Sequence, residues 1–385
     1  MKILLTTIFA YPHTGGLSTH MSTLKSGLEA EGHQVGILSF NDVPRLKGIL
    51  RAQGPAFFLN KFKKGKGFVW SQLQRKQLIH NLLKGLDESY DIINAQDIFA
   101  ALASVGLGLP TALTSHGYMA YEAISKGALA SGSKEDQLIR NMERHAYQHA
   151  DRVITVDQRI KGYILEASGV EATAIKNFIN VDDFKPDKTK KVLYKKELGL
   201  PKQSKILFVP RRLTKKNGVV FPALALPRIL KEEPHTLLLY AGTGEDLPDI
   251  KRIIKQKGIE KNVVLLGAVP HYDMKKYYAV TDVVLIPSIH SEGVEEATSI
   301  AALEAMGSGA PVVASFVGGL KEIIENGKDG IHVEEQNPEA LSQAVLNLLN
   351  HPAYANNLAE KARGKIEENH SHIAAAKRYA DIYRG

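Results

Sequence analysis

Short apolar segments alternate with stretches of helical spacing along the whole chain, and this alternation restricts the fold more than any other feature. Five predicted strands occupy the first half: Lys2–Ile8, Gln34–Phe40, Asp91–Asn94, Thr111–Thr114 and Arg152–Val156. A second series follows Asn180: Lys205–Val209, Thr236–Tyr240, Asn262–Leu266, Val283–Ile286 and Pro311–Ala314. Because strands that alternate with helices form parallel sheets with helices on both faces, the sequence predicts an α/β chain with two successive parallel-sheet domains.

The domain boundaries are predicted from length and local composition. At about 150 residues per domain, a chain of 385 residues has room for two domains and a short extra element. The segment Asp182–Lys196 is polar, rich in Lys and contains Pro186, which is typical of a linker. We therefore expect an N-terminal domain over residues 1–184, a C-terminal domain over 185–365, and a C-terminal helix over 366–385 that packs back on the N-terminal domain.

Composition excludes several classes of protein. The chain has no cysteine, which excludes disulfides, thiolate zinc sites and cysteine nucleophiles. No apolar run approaches the roughly 20 residues that a membrane-spanning helix needs. The apolar stretch Ile3–Ala10 is predicted to be a buried strand and not a signal peptide. A cytoplasmic location is the expectation.

The positive charge of the chain is concentrated in one segment. Between Asn41 and Lys84 there are ten basic residues and one acidic residue, a net of +9, whereas the whole chain carries +8. The core of this basic segment mixes Phe57, Phe58 and Phe62 with Lys61, Lys63, Lys64 and Lys66. Such a mixture suits an anionic membrane surface or an anionic acceptor; stacking on nucleic acid and a solvated loop are the alternatives.

Residues that suit anion binding follow two of the predicted strands. Ligands of parallel sheets bind outside the carboxyl ends of the strands. Gly15 and Gly16 lie between the first strand and the first helix, where backbone amides can approach an anion. The dinucleotide fingerprint and the P-loop motif are both absent. After Val209 come four cations that suit a phosphate or diphosphate: Arg211, Arg212, Lys215 and Lys216.

The segment Ser291–Gly309 contains two glutamates separated by seven residues, Glu296 and Glu304. A helix is predicted to begin near Ala297, with Thr298 and Ser299 in its first turn. Glu304 lies in an otherwise apolar part of that helix, and a buried carboxylate needs a partner. The pair therefore marks a candidate site.

The spacing E-x7-E, in the context E-ATSIAAL-E-AMGSGAPVVAS, resembles the signature of the retaining glycosyltransferases of family GT4. Other landmarks of that family occur in the expected order: Gly15-Gly16, Glu31–Val35, His116 in TSHG, Asn177–Phe184, Arg212-Leu213, Tyr240–Gly244 and Ala279–Ser288. The resemblance covers nearly the whole chain. It implies a GT-B fold, in which two Rossmann-like domains face each other across a cleft.

The resemblance also implies residue roles. Glu304 would bind the ribose of the nucleotide, Glu296 the transferred sugar, and the amides of Thr298 and Ser299 the diphosphate or sugar. Arg212 and a nearby Lys would neutralise the diphosphate, which Gly15 and Gly16 would approach from the other domain. The Lys of the family stands at the position of Asn217 here, so Lys215, Lys216 and Asn217 stay open, with Lys216 preferred. His116 resembles the histidine that contacts the sugar; with Glu296 it is the expected catalytic residue.

The implied activity is that of a retaining glycosyltransferase (EC 2.4 class) in polysaccharide or glycoconjugate biosynthesis. The expected donor is a nucleotide diphosphate sugar, UDP-linked by preference. The acceptor is a hydroxyl on a glycan, a lipid-linked saccharide or a small molecule. No Asp-x-Asp triplet occurs, so no metal cofactor is expected.

Two other classes of function remain open from the sequence. A nucleotide-sugar epimerase or phosphorylase on the same fold is the first alternative. A nucleic-acid-binding protein is the second, although it would leave the paired glutamates unexplained, and we expect no nucleic-acid partner. The basic segment predicts peripheral contact with an anionic membrane, on the inner face, near a lipid-linked acceptor.

Overall fold

The protein is described by a computed structural model that covers residues 1–13, 16–87, 89–186, 188–290 and 299–385. In these residues twelve strands form two six-stranded, fully parallel sheets. The chain divides into two compact units. The first consists of Met1–Asn177 and His372–Gly385, and the second of Phe178–Ser371.

The first unit is built on a sheet whose strands lie in the order β2-β1-β3-β4-β5-β6. The strands are β1 (Lys2–Thr6), β2 (Gln34–Leu38), β3 (Ile92–Ala95), β4 (Thr111–Ser115), β5 (Arg152–Thr155) and β6 (Thr173–Ala174). The helices are α1 (Gly16–Ala30), α2 (Arg45–Gly48), α3 (Gly54–Phe62), α4 (Lys66–Lys84), α5 (Ile98–Ser104), α6 (Met119–Ser125), α7 (Lys134–His149) and α8 (Gln158–Ser168).

The second unit repeats the pattern, with strand order β12-β11-β10-β7-β8-β9. Its strands are β7 (Lys205–Val209), β8 (Thr236–Ala241), β9 (Val263–Gly267), β10 (Val283–Ile286), β11 (Val312–Ser315) and β12 (Ile331–Val333). Its helices are α9 (Lys191–Glu197), α10 (Val220–Glu232), α11 (Leu247–Lys257), α12 (His271–Val280), α13 (Ile300–Gly307), α14 (Leu320–Ile323), α15 (Pro338–Asn350) and α16 (Pro352–Asn369). The last helix, α17 (His372–Arg384), belongs to the first unit.

The strands are apolar without alternation because both faces of each sheet are covered. In β7, Ile206 and Phe208 join one hydrophobic cluster, and Leu207 and Val209 join another. Successive side chains of a strand point to opposite faces, so the two clusters are the two sides of one sheet. This burial fixes the position of the carboxyl end of β7, where the basic loop begins.

The structure corrects two predicted elements. Helix α9 overlaps the segment predicted as a linker, and its Lys191 pairs with Asp282 at 2.8 Å. The predicted helix Ile366–Tyr383 is two helices, α16 and α17. The helix ends between them because the backbone N–H of Ile179 donates to the carbonyl of His370 at 2.9 Å, and Ile179 forms an isolated parallel bridge with Ser371.

Helix α17 packs closely against α1 at Gly27. A Cβ atom at Gly27 would collide with the backbone carbonyl of His372 and would lie 3.1 Å from the Cβ of Ala376. Backbone atoms cannot move aside as a flexible side chain can. Gly27 therefore permits the close approach of the two helices.

We expect Gly27→Ala to destabilise the protein by about 1–3 kcal/mol, because the added methyl group overpacks this contact. The matched control is Gly162→Ala in α8, where a Cβ atom meets nothing within 4 Å. That change should stabilise by about 0.5–1 kcal/mol, since Ala is the better helix former. Urea unfolding measures both, and equal effects would contradict the close α1–α17 contact.

Candidate functional site

Part of the predicted site falls outside the described residues. Gly15, Glu296 and Thr298 belong to the segments that the structure leaves undescribed. Gly16 is exposed and is the first residue of α1.

The basic loop after β7 is built against the end of β8. Gly242 and Gly244 have φ angles of +154° and +159°, and a Cβ atom at either position would collide with the carbonyl of Arg211 or Leu213 respectively. The backbone N–H of Leu213 also donates to the carbonyl of Thr243 at 2.9 Å. Glycine at these two positions thus lets the two loops lie in direct contact.

Arg211 is buried and points into the second unit. Its guanidinium donates to side-chain oxygens of Asn217, of Ser288 at 3.2 Å and of Ser299. Ser288 follows β10, and Ser299 precedes α13. One cation therefore joins the ends of β7 and β10 to the beginning of α13.

The predicted donor cations lie in the same loop. Arg212 is exposed, and its carbonyl accepts from the Nδ2 of Asn217 at 2.7 Å. Lys216 is half-buried in a short 3₁₀ turn, and its carbonyl accepts from the N–H of Ile289 at 2.9 Å. Asn217 is buried and holds both Arg211 and the backbone of Arg212, so it organises this loop.

The structure corrects the predicted start of the helix that carries Glu304. Helix α13 begins at Ile300, and Ser299 is extended and precedes the helix as its N-cap residue. Ser299 is therefore not in the first turn. Its hydroxyl accepts from Arg211, and its carbonyl accepts from the N–H groups of Ala302 and Leu303, each at 3.1 Å.

Glu304 is buried in α13 and has two partners that the sequence did not reveal. The hydroxyl of Tyr278 donates to its Oε2 at 2.9 Å, and the Nε2 of His271 is 3.0 Å from its Oε1. A carboxylate has about four acceptor sites, so these contacts leave capacity for further donors. The hydrogen bond to Glu304 raises the pKa of His271, and burial followed by the charge of Glu304 raises that of Tyr278.

In the first unit, His116 follows β4 and lines a cavity of about 330 Å³. Burial lowers the pKa of His116 to about 4, so the ring is neutral at pH 7. Its Nε2 lies 3.0 Å from the Oε1 of Gln96. The same cavity is lined by Gln72, by Asp97 and by Lys126, which directly follows α6.

The basic segment forms an exposed surface on α2, α3 and their neighbours. Phe57, Phe58 and Phe62 are 62%, 61% and 87% exposed. Lys61 lies over the ring of Phe57, with its Nζ 4.7 Å from the ring centroid, whereas Lys63 is paired with Glu135 at 2.7 Å. Lys64 and Lys66 are exposed. Cations and apolar rings thus share one surface.

The described residues contain neither a membrane-spanning helix nor a metal-binding cluster. None of the described helices combines the length and apolar character needed to cross a bilayer. Within the described ranges, no cluster of three or more His, Asp or Glu side chains is arranged to hold a metal ion.

The structure thus brings Ser299 and Glu304 together with the basic loop in the second unit and places His116 in a cavity of the first. Sequence reasoning missed the roles of Asn217, His271, Tyr278 and Gln96. A signal for His271 exists in the sequence, since it directly follows Pro270 at the start of α12. The partners of Glu304 depend on the packing of α12 against α13, which no local pattern encodes.

Two family models match most of the chain. The model of "Glycosyl transferases group 1" matches residues 191–365, and that of "Glycosyltransferase Family 4" matches residues 14–183. An uncharacterised glycosyltransferase of Methanocaldococcus jannaschii is 28% identical over 100% of this chain and 98% of its own length.

A lipid-modifying enzyme and a ligand-bound structure are also similar. The GDP-mannose-dependent α-(1-6)-phosphatidylinositol monomannoside mannosyltransferase of Mycolicibacterium smegmatis is 27% identical over 64% of this chain and 65% of its own length. The crystal structure of Anabaena HepE in complex with UDP and glucose superposes with a TM-score of 0.68 at 18% identity, covering 99% of this chain and 98% of that one. That likeness establishes the fold.

The pair His271–Glu304 predicts a pH dependence of stability. The folded-state pKa of His271 is raised above its ordinary value of 6.5. The stabilisation that its pairing with Glu304 gives the folded protein is therefore fully present below pH 6.5 and is lost as the pH rises through the folded-state pKa. His271→Gln, which keeps an N–H donor without the charge, should therefore destabilise more at about pH 5.5 than at about pH 9. Urea unfolding measures the difference; the control is His235→Gln at an exposed position. A pH-independent effect of His271→Gln would contradict the charged pair.

Proposed function

This chain belongs to glycosyltransferase family 4 and has the GT-B fold, and on that premise we propose that it is a retaining glycosyltransferase that uses a UDP-sugar. The sugar passes to an acceptor hydroxyl of a glycan, a lipid-linked saccharide or a small molecule. The observation that carries the proposal is the joint placement of Arg211, Ser299 and Glu304 at the carboxyl end of the second sheet. The UDP complex of Anabaena HepE supports the choice of donor.

In the proposed donor site, carboxylates bind the ribose and the transferred sugar, and cations bind the diphosphate. Glu304, which keeps acceptor capacity beside Tyr278 and His271, accepts from the ribose hydroxyls. Arg212, Lys216 and the amides that lead into α13, those of Thr298 and Ser299, neutralise the diphosphate. Gly15 and Gly16 are proposed to let backbone amides approach the diphosphate closely. Glu296 binds the transferred sugar.

The proposed chemistry is electrostatic. As the bond between sugar and diphosphate breaks, negative charge develops on the leaving group, and fixed cations and amide dipoles stabilise it in the transition state. The acceptor hydroxyl attacks on the same face, and its proton goes to the leaving phosphate. His116, neutral at pH 7, accepts a hydrogen bond from a substrate hydroxyl. We infer that no metal is required, because the cations stabilise the negative charge of the leaving diphosphate, which a bridging metal would otherwise do.

The basic segment is proposed to hold the enzyme on anionic membranes. Its rings supply apolar area for insertion, and each exposed Lys contributes about 1 kcal/mol near an anionic surface. The Mycolicibacterium relative, whose name includes a phosphatidylinositol acceptor, supports a lipid-linked acceptor. The ion pair between Lys63 and Glu135 makes Lys63 the weakest contributor of the four lysines.

The function is tested by incubating the protein with UDP-sugars in EDTA and following the release of UDP. Hydrolysis or transfer that persists in EDTA is the expected result. Complete inhibition by EDTA that Mg²⁺ or Mn²⁺ reverses would refute metal independence. Interconversion of the nucleotide sugar without release of UDP would refute glycosyl transfer and favour an epimerase.

The two glutamates are expected to separate binding from turnover. Glu304→Ala should weaken UDP binding by about 1.5–3 kcal/mol, because the ribose hydroxyls lose a charged acceptor. Glu296→Ala should lower turnover and leave the affinity for free UDP nearly unchanged. Calorimetric titration with UDP and steady-state kinetics measure the two effects. The control is Tyr278→Phe, which removes only a partner of Glu304; equal losses of UDP affinity in both glutamate variants would refute the assignment.

Trp70, the single tryptophan of the chain, lies on α4 beside the exposed surface of the basic segment and is 39% exposed. With vesicles of phosphatidylglycerol and brominated phosphatidylcholine, we expect its fluorescence to be quenched at low salt and to recover as salt is added. Replacing Lys61, Lys63, Lys64 and Lys66 by Glu should abolish the quenching. The control reverses four exposed lysines of the second unit: Lys251, Lys255, Lys257 and Lys261. An unquenched wild type at low salt would refute membrane contact.

A further inference from the structure

A buried polar chain leads along the ends of two adjacent strands to His116. Asn94 and Thr114 are the next-to-last residues of β3 and β4, and Gln96 and His116 directly follow these two strands. The side chains of Asn94, Gln96 and Thr114 are at most 1% exposed. Polar groups buried this deeply need hydrogen-bond partners, and these residues supply them to one another.

The hydrogen bonds between these buried polar side chains run in a defined direction from donor to acceptor. The Nε2 of Gln96 donates to the Oδ1 of Asn94, which also contacts the hydroxyl of Thr114 at 3.2 Å. Since the amide nitrogen of Gln96 is directed to Asn94, its oxygen is the atom that meets His116, at 3.0 Å from Nε2. An amide oxygen only accepts hydrogen bonds. The Nε2 of His116 therefore carries the hydrogen, and Nδ1 of the neutral ring keeps its lone pair.

The surroundings of His116 keep the ring neutral. The ring of His20, on α1, packs edge-on against it with centroids 4.5 Å apart, and the Nε2 of His20 lies 3.3 Å from the hydroxyl of Tyr379 on α17. Burial lowers the pKa of both histidines. The other ionisable groups that line the cavity are Asp97, Glu122, Lys126 and His13.

We propose that Gln96 is a positioning residue that holds His116 as the neutral Nε2–H tautomer, so that Nδ1 is the atom available to a substrate hydroxyl. This inference rests on the proposed function only in that His116 contacts substrate. The tautomer itself is independent of the reaction. Gln96 acts through His116 and has no separate chemical role.

Gln96→Met and Gln96→Glu test the proposal in the full-length protein. Gln96→Met removes the acceptor at similar volume, so the tautomer preference should be lost and kcat should fall roughly tenfold through misplacement of the ring. Gln96→Glu places a carboxylate at Nε2, which favours the imidazolium and should raise the pKa of His116. The acid limb of the pH–rate profile should then move to higher pH.

The matched controls use Gln72, a buried glutamine that lines the same cavity. Gln72→Met and Gln72→Glu make the same chemical changes without touching the Gln96–His116 hydrogen bond, and the His116 tautomer should be unaffected. Long-range ¹H–¹⁵N spectra of [¹⁵N]histidine-labelled protein measure tautomer and pKa without any substrate. Thermal unfolding confirms that each variant is folded.

The expected result is an Nε2–H signal for wild-type His116 that is lost in Gln96→Met and retained in both Gln72 variants. An Nδ1–H tautomer in the wild type, or an unchanged tautomer in Gln96→Met, would overturn the proposal. A changed tautomer with unchanged kcat would overturn the catalytic importance of the hydrogen bond and leave glycosyl transfer standing. A wild type inactive on every nucleotide sugar would overturn the proposed function, while the spectra would still decide the tautomer.

Discussion

The hydrogen bonds of buried Arg211 are the interaction on which the second unit's candidate site depends. Asn217 lies in the loop after β7, whereas Ser288 and Ser299 lie at the two ends of the connection between β10 and α13, and one guanidinium joins them. These three acceptors are neutral side-chain oxygens. Leaving a buried guanidinium without its hydrogen bonds costs several kcal/mol. The geometry of the basic loop and the start of α13 are therefore coupled.

The sequence predicted the parts of the fold that depend on local pattern. The parallel α/β architecture and the positions of most strands followed from apolar runs, because a strand covered on both faces must be apolar throughout. The resemblance to family 4 was carried by the spacing of Glu296 and Glu304 together with other motifs along the chain, and the two matching family models bear it out. The start of α13 was placed too early, since Ser299 is held outside the helix by a distant partner, Arg211. The break in the predicted helix after His370 also depends on a distant partner, Ile179, so local helical spacing does not predict it.

The site was predicted less completely than the fold, because its residues also depend on partners that are distant in the chain. Glu304 was recognised as a buried carboxylate that needs a partner, but Tyr278 and His271 come from α12, some 30 residues earlier in the chain. Asn217 was considered only as a replacement for a lysine. The structure gives it a different role, since it accepts from Arg211 and donates to the carbonyl of Arg212. Local residue types therefore indicate that a site exists, whereas the partners of each residue are fixed by packing.

The contact between α1 and α17 has a consequence for synthesis of the protein on the ribosome. Helix α17 follows the whole second unit along the chain, yet it covers a helix that begins at residue 16. The N-terminal domain of a two-domain chain ordinarily folds while the rest is still being made. Here α1 stays without its partner until the second unit and α17 have been synthesised. The first unit is thus completed only after the second unit has been made, and a nascent chain truncated before His372 exposes the face of α1 that contains Gly27.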